Sequence, residues 1–221
     1  MKKIYISVII LLAATLAQAQ DILTAGAFFK TISDYYGTIS DYQAQMDITV
    51  GRSAMSGRVS FKRPELLRID FTTPKDQVIV YNGEMLTIYL PDRAAALNQA
   101  SSPAGRGGAL ATAQGLNLLS RYYTIVYETG QDPVSLDANS PELVVKLILS
   151  RRTNSEEFRT IRLSVSPDTR LIRRVEATTT KGELFVFSFS SYVINQGIAD
   201  QRFIYDTPVS ANEYNDFLFA E

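Results

Sequence analysis

The stretch FKRPELLRIDF, residues 61–71, decides between possible folds for this 221-residue chain. Leu67, Ile69 and Phe71 are each separated by a charged residue, which is typical of a β-strand with one buried face. The same stretch carries Arg63 and Pro64 directly after the apolar end of a preceding strand. Because proline cannot donate a hydrogen bond to a sheet, it marks an edge, a bulge or a break.

Strand patterns continue on both sides of this stretch. Residues 41–50 (DYQAQMDITV) alternate between apolar and polar side chains, as half-buried antiparallel strands do. Residues 77–90 (QVIVYNGEMLTIYL) have the form of a hairpin with Asn82-Gly83 at the turn. Further strands are expected over residues 121–128, 142–149, 158–165, 171–179, 183–192 and 203–205. No alternation of strands with helices is seen, so we predict an α+β fold with a single antiparallel sheet of about eleven strands.

Two or three helices should accompany this sheet. The first is expected to have Asp21 as its N-terminal cap and to end at Gly37, and a weaker one follows the glycine-rich residues 104–108. The apolar residues of these helices, at helical spacing, are Phe28, Phe29, Ile32, Leu110 and Leu116. The glycine-rich region has two interpretations, a hinged lid or a surface insertion. The tail from residue 209 onward is apolar enough to dock against the sheet.

The N-terminal segment indicates export. Lys2 and Lys3 precede an apolar run over residues 4–16, and Ala17-Gln18-Ala19 is an A-x-A-type cleavage site. We therefore expect a signal peptide over residues 1–19 and a single exported domain over residues 20–221. The alternative interpretation is a retained N-terminal membrane anchor. After cleavage the chain is mildly acidic, which does not favour a nucleic-acid partner, and we expect a monomer.

The chain lacks the residues of most catalytic centres. It contains no histidine and no cysteine, which excludes Ser-His-Asp and Cys-His catalysis and zinc sites built from those ligands. No P-loop or dinucleotide-binding glycine pattern is present. Only a mechanism based on paired carboxylates stays open. We therefore expect a binding protein with no enzymatic activity, no metal and no cofactor.

A sheet of this many strands cannot stay flat, and it curls. With one apolar face and few helices to cover it, it should form an unclosed half-barrel around an apolar cavity. The residues expected to line that cavity are Met46, Ile48, Phe61, Leu67, Ile69, Phe71, Val80, Leu147, Phe185 and Phe187. Alternation alone cannot distinguish a cavity from a filled core, so both interpretations stay open here.

The ordered set of motifs in residues 62–91 resembles a known family. In sequence order the motifs are Lys62-Arg63-Pro64, Leu66-Leu67, Thr73-Pro74, Asn82-Gly83 and Tyr89-Leu90-Pro91. This set is similar to that of the outer-membrane lipoprotein carrier family, LolA. The resemblance implies an open barrel under lid helices that carries the acyl chains of lipoproteins across the periplasm. The implied partners are acylated lipoproteins, an inner-membrane ABC lipoprotein-releasing transporter and an outer-membrane lipoprotein acceptor.

The resemblance also implies a role for the Lys-Arg-Pro motif. In the family its arginine contacts the backbone of the lid and holds the lid shut when no ligand is bound, which assigns that role to Arg63. Pro64 would bend the strand at the rim. The alternative is a surface arginine beside a proline of an edge strand. Leu67 stands where the family often has an aromatic residue.

Three other functions compete with the carrier. One is an envelope-stress sensor or regulatory domain with the same half-barrel, binding lipid or a membrane partner. A second is a structural β-domain with a filled core. The third is an acyl-chain hydrolase, for which the catalytic residues are missing.

Overall fold

The computed structural model describes residues 23–100 and 113–217. The predicted signal peptide, Asp21, residues 104–108 and Leu110 lie outside these ranges. Within them are two α-helices, α1 (Ala25–Thr38) and α2 (Ala113–Tyr122), and short 3-10 turns at Pro91–Arg93 and Asp200–Phe203. The thirteen strands are β1 (Asp41–Val50), β2 (Ser53–Lys62), β3 (Leu66–Thr73), β4 (Val78–Tyr81), β5 (Met85–Leu90), β6 (Ala95–Ala100), β7 (Tyr123–Tyr127), β8 (Val134–Ser135), β9 (Leu143–Arg151), β10 (Phe158–Val165), β11 (Ile172–Thr179), β12 (Leu184–Ile194) and β13 (Asn212–Asn215).

The strands form one strongly curled, unclosed sheet. Its order is β13-β6-β5-β4-β3-β2-β1-β12-β11-β10-β9-β7, with β8 attached to β9. All pairs are antiparallel except β13 with β6, which run parallel. The predicted curled antiparallel sheet is confirmed, with thirteen strands in the described ranges where about eleven were expected. The extra strands are short or lie in regions with weak alternation, namely β6, β8 and β13. The strand predicted over 203–205 is wrong, because Phe203 ends a 3-10 turn.

The Lys-Arg-Pro motif forms a tight turn between two strands. Lys62 at the end of β2 pairs with Leu66 at the start of β3, so only three residues make the connection. Pro64 therefore ends one strand and does not bend a continuous one. A proline is tolerated here because the turn needs no ladder hydrogen bond from its nitrogen.

The two helices pack over one face of the sheet, which we call the concave face. Helix α1 is capped by the Thr24 hydroxyl, which accepts a hydrogen bond from the Ala27 N–H at 3.2 Å. Near its start, the Tyr127 hydroxyl donates to the Leu23 carbonyl at 2.9 Å. Helix α2 lies beside it, and the Ser33 hydroxyl donates to Asn117 Oδ1 at 3.1 Å. The helices and the concave face share one hydrophobic cluster.

The opposite, convex face is crossed by residues 198–205, which we call the C-terminal strap. Lys62 Nζ donates to the Ile198 carbonyl at 2.7 Å, and Arg68 Nη1 donates to the Arg202 carbonyl at 3.2 Å. Arg202 also forms an ion pair with Asp70. Phe203 is only 1% exposed. The chain then reaches the sheet edge, where β13 pairs with β6. The described part of the tail thus joins the sheet through its backbone, and the side chains of β13 stay exposed.

Neither helix in the described ranges combines the length and the apolar character that a bilayer span requires.

Candidate functional site

The concave face brings together nine of the ten residues predicted to line a cavity. Pairing of β1 with β12 sets Ile48 opposite Phe187 and Met46 opposite Phe189. All nine belong to the cluster that the helices share. The buried members are Met46, Ile48, Phe61, Phe71 and Leu147. The half-buried members are Leu67, Ile69, Phe185 and Phe187.

Val80 was wrongly placed among them. It pairs with Arg68 and Thr87, whose side chains lie on the convex face. Val80 is nevertheless 3% exposed, because the C-terminal strap crosses this side of the neighbouring strands. A strand that is buried on both faces shows no alternation, so the sequence VIVY does not reveal which residue faces the helices.

The correct neighbours form a row that the sequence prediction missed. Ile69 pairs with Ile79, Ile79 with Ile88 and Ile88 with Leu97. A second row lies beside it, in which Leu67 pairs with Tyr81 and Tyr81 with Leu86. The two rows together form an apolar strip on the concave face of β3 to β6, consisting of Leu67, Ile69, Ile79, Tyr81, Leu86, Ile88 and Leu97. Every member is half-buried. The alternation around Thr87 was the signal that could have identified Leu86 and Ile88.

The predicted helix residues face the sheet. Phe29, Ile32 and Leu116 are almost completely buried in the shared cluster. Phe28 is half-buried, and its ring centroid lies 6.2 Å from that of Tyr127. The helices thus cover the middle of the concave face with apolar side chains, while the strip on β3 to β6 keeps part of its surface exposed.

Arg63 ties the turn after β2 to the end of helix α1. Its Nη1 donates to the Gly37 carbonyl at 2.6 Å, and its backbone N–H donates to the Ser40 carbonyl at 2.9 Å. A guanidinium is suited to this because the last carbonyls of a helix lack partners within the helix. The side chain is exposed, so the contact is accessible to water and worth less than a buried one.

A groove of about 460 Å³ lies beside this contact, between the helices and the β2–β3 turn. Its apolar wall consists of Tyr36, Phe61, Pro64 and Leu118. Its polar wall consists of Arg63, Gln114, Asn117 and Arg121. Phe61 also belongs to the cluster of the concave face, so the groove adjoins the apolar interior.

The aromatic residues around this end of the site stay uncharged. Burial raises the pKa of the Tyr36 hydroxyl to about 12, although that oxygen accepts a hydrogen bond from the Ile172 N–H. Burial also raises the pKa values of Tyr42 and Tyr192. These three side chains therefore present neutral surface near neutral pH. Among the described residues, no three acidic side chains gather into a metal-binding group.

Comparisons with known proteins agree with this architecture. An outer-membrane lipoprotein carrier protein of Pseudomonas paraeruginosa is 23% identical over 154 residues, covering 69% of this chain and 68% of that protein. An uncharacterized conserved protein from Thermus thermophilus superposes with a TM-score of 0.56 at 14% identity, covering 84% of this chain and 98% of that one. Pseudomonas aeruginosa MucB, in its complex with MucA, gives 0.50 at 14% identity, covering 85% of this chain and 62% of that one.

These structural similarities show the fold alone. The family described as "Outer membrane lipoprotein carrier protein LolA" matches residues 44–206, well over half of the chain. The matched region runs from β1 through the C-terminal strap, and it contains the Lys-Arg-Pro turn and most of the apolar strands. The chain therefore belongs to the outer membrane lipoprotein carrier protein LolA family.

Proposed function

We propose that this protein is a periplasmic carrier that shuttles lipoproteins from the inner to the outer membrane. It would bind the acyl chains on its concave face, receive them from an inner-membrane ABC transporter and pass them to an outer-membrane acceptor. The observation that supports this most is a continuous apolar face under two helices, one of which is tied to the sheet by Arg63. Membership of the carrier family supports it as well.

Transfer free energies show why such a carrier would be needed. Moving one buried methylene into water costs about 0.8 kcal/mol, so a 16-carbon chain is worth roughly 12 kcal/mol. A charge-assisted hydrogen bond contributes roughly 1.5–3 kcal/mol. Acyl chains can therefore displace the helices against the Arg63 contact, while that contact still favours the covered state when no ligand is present.

The side chains of the concave face and the groove support binding and no catalysis. The concave face supplies hydrocarbon surface, and the groove supplies hydrogen-bond donors. The chain contains no histidine or cysteine that could act as a base or a nucleophile. A hydrolase active on acyl chains would need a nucleophile next to a base.

The test uses the mature protein, a tripalmitoylated cysteinyl peptide and phospholipid vesicles that accept the peptide. We expect the wild type to bind the peptide and release it to vesicles. Arg63→Leu should release it about tenfold more slowly, because the covered, empty state loses roughly 1.5 kcal/mol relative to the loaded one. Release is followed by the fluorescence of a labelled peptide.

The matched control is Arg159→Leu, which changes an exposed arginine on β10 and should release the peptide like the wild type. Equal release rates for Arg63→Leu and the wild type would contradict the role of Arg63. A wild type that binds no acylated peptide would contradict the carrier function itself.

A sensor or regulatory domain that binds a membrane partner is the second candidate, since MucB, which shares the fold, forms a complex with MucA. Affinity purification from the native cell envelope distinguishes the two. Recovery of one signalling membrane protein, without acylated lipoproteins, would favour the sensor.

A further inference from the structure

The groove beside Arg63 combines two features that an acyl-binding face alone does not require. Arg63 comes from the turn after β2, and Arg121 comes from helix α2, so two guanidinium groups enter one space from different elements. Gln114 and Asn117 add amide groups along the same side of that helix. All four residue types carry hydrogen-bond donors.

Neither arginine is neutralised by an acidic side chain among the described residues. The ion pairs found in those ranges involve other basic residues. The only hydrogen bond found for the Arg63 side chain there goes to the Gly37 carbonyl, which leaves most of its five donors available. Arg121 stacks near the ring of Tyr122, with its Cζ 5.7 Å from the ring centroid. As far as the described ranges extend, the groove therefore carries two guanidinium charges without an acidic partner.

The apolar wall of the groove leads into the hydrophobic interior. Phe61 is 5% exposed and belongs to the cluster of the concave face. A ligand with a hydrocarbon chain and a negatively charged end would place the chain on the concave face and the charge between the arginines. Guanidinium groups bind carboxylate and phosphate oxygens in a two-pronged geometry. The groove, with a volume of about 460 Å³, has room for a phosphate or carboxylate group.

We propose that this groove binds the oxyanion of an anionic amphiphile, a phosphate or carboxylate attached to an acyl chain. The inference rests on the proposed function, which places the acyl chain of the ligand on the concave face. It adds a binding site for the charged headgroup. An oxyanion held by both arginines would link helix α2 to the sheet. The protein would thus distinguish acyl compounds by charge, and anionic lipids would compete with neutral acylated cargo.

Dodecyl phosphate, sodium laurate, dodecanol and inorganic phosphate test this by titration calorimetry below the micelle concentration. The wild type should bind dodecyl phosphate and laurate at least about tenfold more tightly than dodecanol, and inorganic phosphate far more weakly. The preference should shrink as salt is added, because the groove is open to water.

Arg121→Gln should reduce the preference for dodecyl phosphate over dodecanol to about threefold or less, with dodecanol binding unchanged. Arg121→Lys should restore part of the preference, and Arg159→Gln should leave all of it. All of these variants keep Arg63 and its hydrogen bond to the Gly37 carbonyl.

The outcomes separate the headgroup site from the carrier function. Equal binding of dodecyl phosphate and dodecanol to the wild type would overturn the headgroup site and leave the acyl-binding face intact. A preference that survives in Arg121→Gln would overturn it as well. Dodecyl phosphate binding that needs Arg121, without any dodecanol binding, would support the headgroup site and count against the carrier function. If inorganic phosphate bound as tightly as dodecyl phosphate, the groove would be a site for free anions, and the amphiphile proposal would be overturned.

Discussion

Asp41 is an acidic residue whose burial requires hydrogen-bond partners. It is an acidic side chain with 2% exposure at the start of β1, directly after the Ser40 that meets Arg63. Its carboxylate accepts hydrogen bonds from the backbone N–H groups of Gln196 at 2.9 Å and Gly197 at 3.0 Å. A buried charge is tolerated only with such partners. Asp41 thereby joins the beginning of the sheet to the chain that leaves β12.

Asp41→Asn should lower the free energy of unfolding by roughly 1–3 kcal/mol, because one amide NH2 would then face a backbone N–H donor. Urea denaturation measures the change. Asp47→Asn is the control, since Asp47 lies exposed in the same strand and its effect should stay within about 0.5 kcal/mol. Equal effects of the two substitutions would contradict this account of Asp41.

At the scale of elements, alternation predicted the strands that are buried on one face. In β1, apolar and polar residues alternate because one side packs under the helices and the other meets water. Helix α1 was found from its apolar spacing, although its observed cap is Thr24. The faces of β4 could not be predicted, because the strap that buries its second side is contributed by residues more than a hundred positions away. β6 and β13 have no strong pattern of their own and depend on their pairing.

Two glycines give opposite expectations for substitution by alanine. A Cβ at Gly57 in β2 would come within 2.5 Å of the Asp70 carbonyl oxygen on β3, a backbone atom that cannot move aside. A Cβ at Gly26 in helix α1 would meet nothing within 4 Å. Gly57→Ala should therefore destabilise the protein by about 1–3 kcal/mol. Gly26→Ala should stabilise it by about 0.5–1 kcal/mol through helix propensity.

Thermal and urea unfolding followed by circular dichroism compares the two variants with the wild type. A neutral Gly57→Ala would mean that β2 and β3 separate easily at this point. That result would be inconsistent with the close approach described here.

For the whole molecule, the resemblance carried by residues 62–91 predicted more than the periodicity did. The curled sheet and its helices follow from the number of strands and the single apolar face. The contact of Arg63 with a helix carbonyl was anticipated only because the motif resembles that of the carrier family. The groove lined by Arg121 could not, because it arises where α2 crosses near the β2–β3 turn, and no local pattern encodes that crossing. The Ile79–Ile88–Leu97 row likewise requires the register of three strands.

The absence of histidine and the buried tyrosines predict where pH acts on stability. Without imidazole groups, stability should change little between about pH 6 and 8. Burial raises the pKa values of Tyr36 and Tyr123 to about 12, whereas tyrosines of an unfolded chain ionise near 10. The unfolded state therefore loses these protons first. The free energy of unfolding is at its full value below about pH 10 and falls as the pH rises towards 12.

Urea denaturation at a series of alkaline pH values, with tyrosinate absorbance as a second signal, checks this expectation. Between about pH 10 and 12, the free energy of unfolding should fall less in Tyr36→Phe than in the wild type, by roughly 2–3 kcal/mol at most. Tyr214→Phe, at a side chain that is 54% exposed, should leave it unchanged. A flat profile up to pH 12 would contradict the burial of these hydroxyl groups.

The hydrogen bond between Arg63 and Gly37 has a mutational asymmetry. Its acceptor is a main-chain oxygen inside a helix, and every amino acid that keeps the helix would present the same oxygen. Replacing residue 37 thus cannot abolish the bond directly, whereas replacing Arg63 removes its donor. For this one bond, sequence variation can therefore change the donor, while the acceptor stays the same.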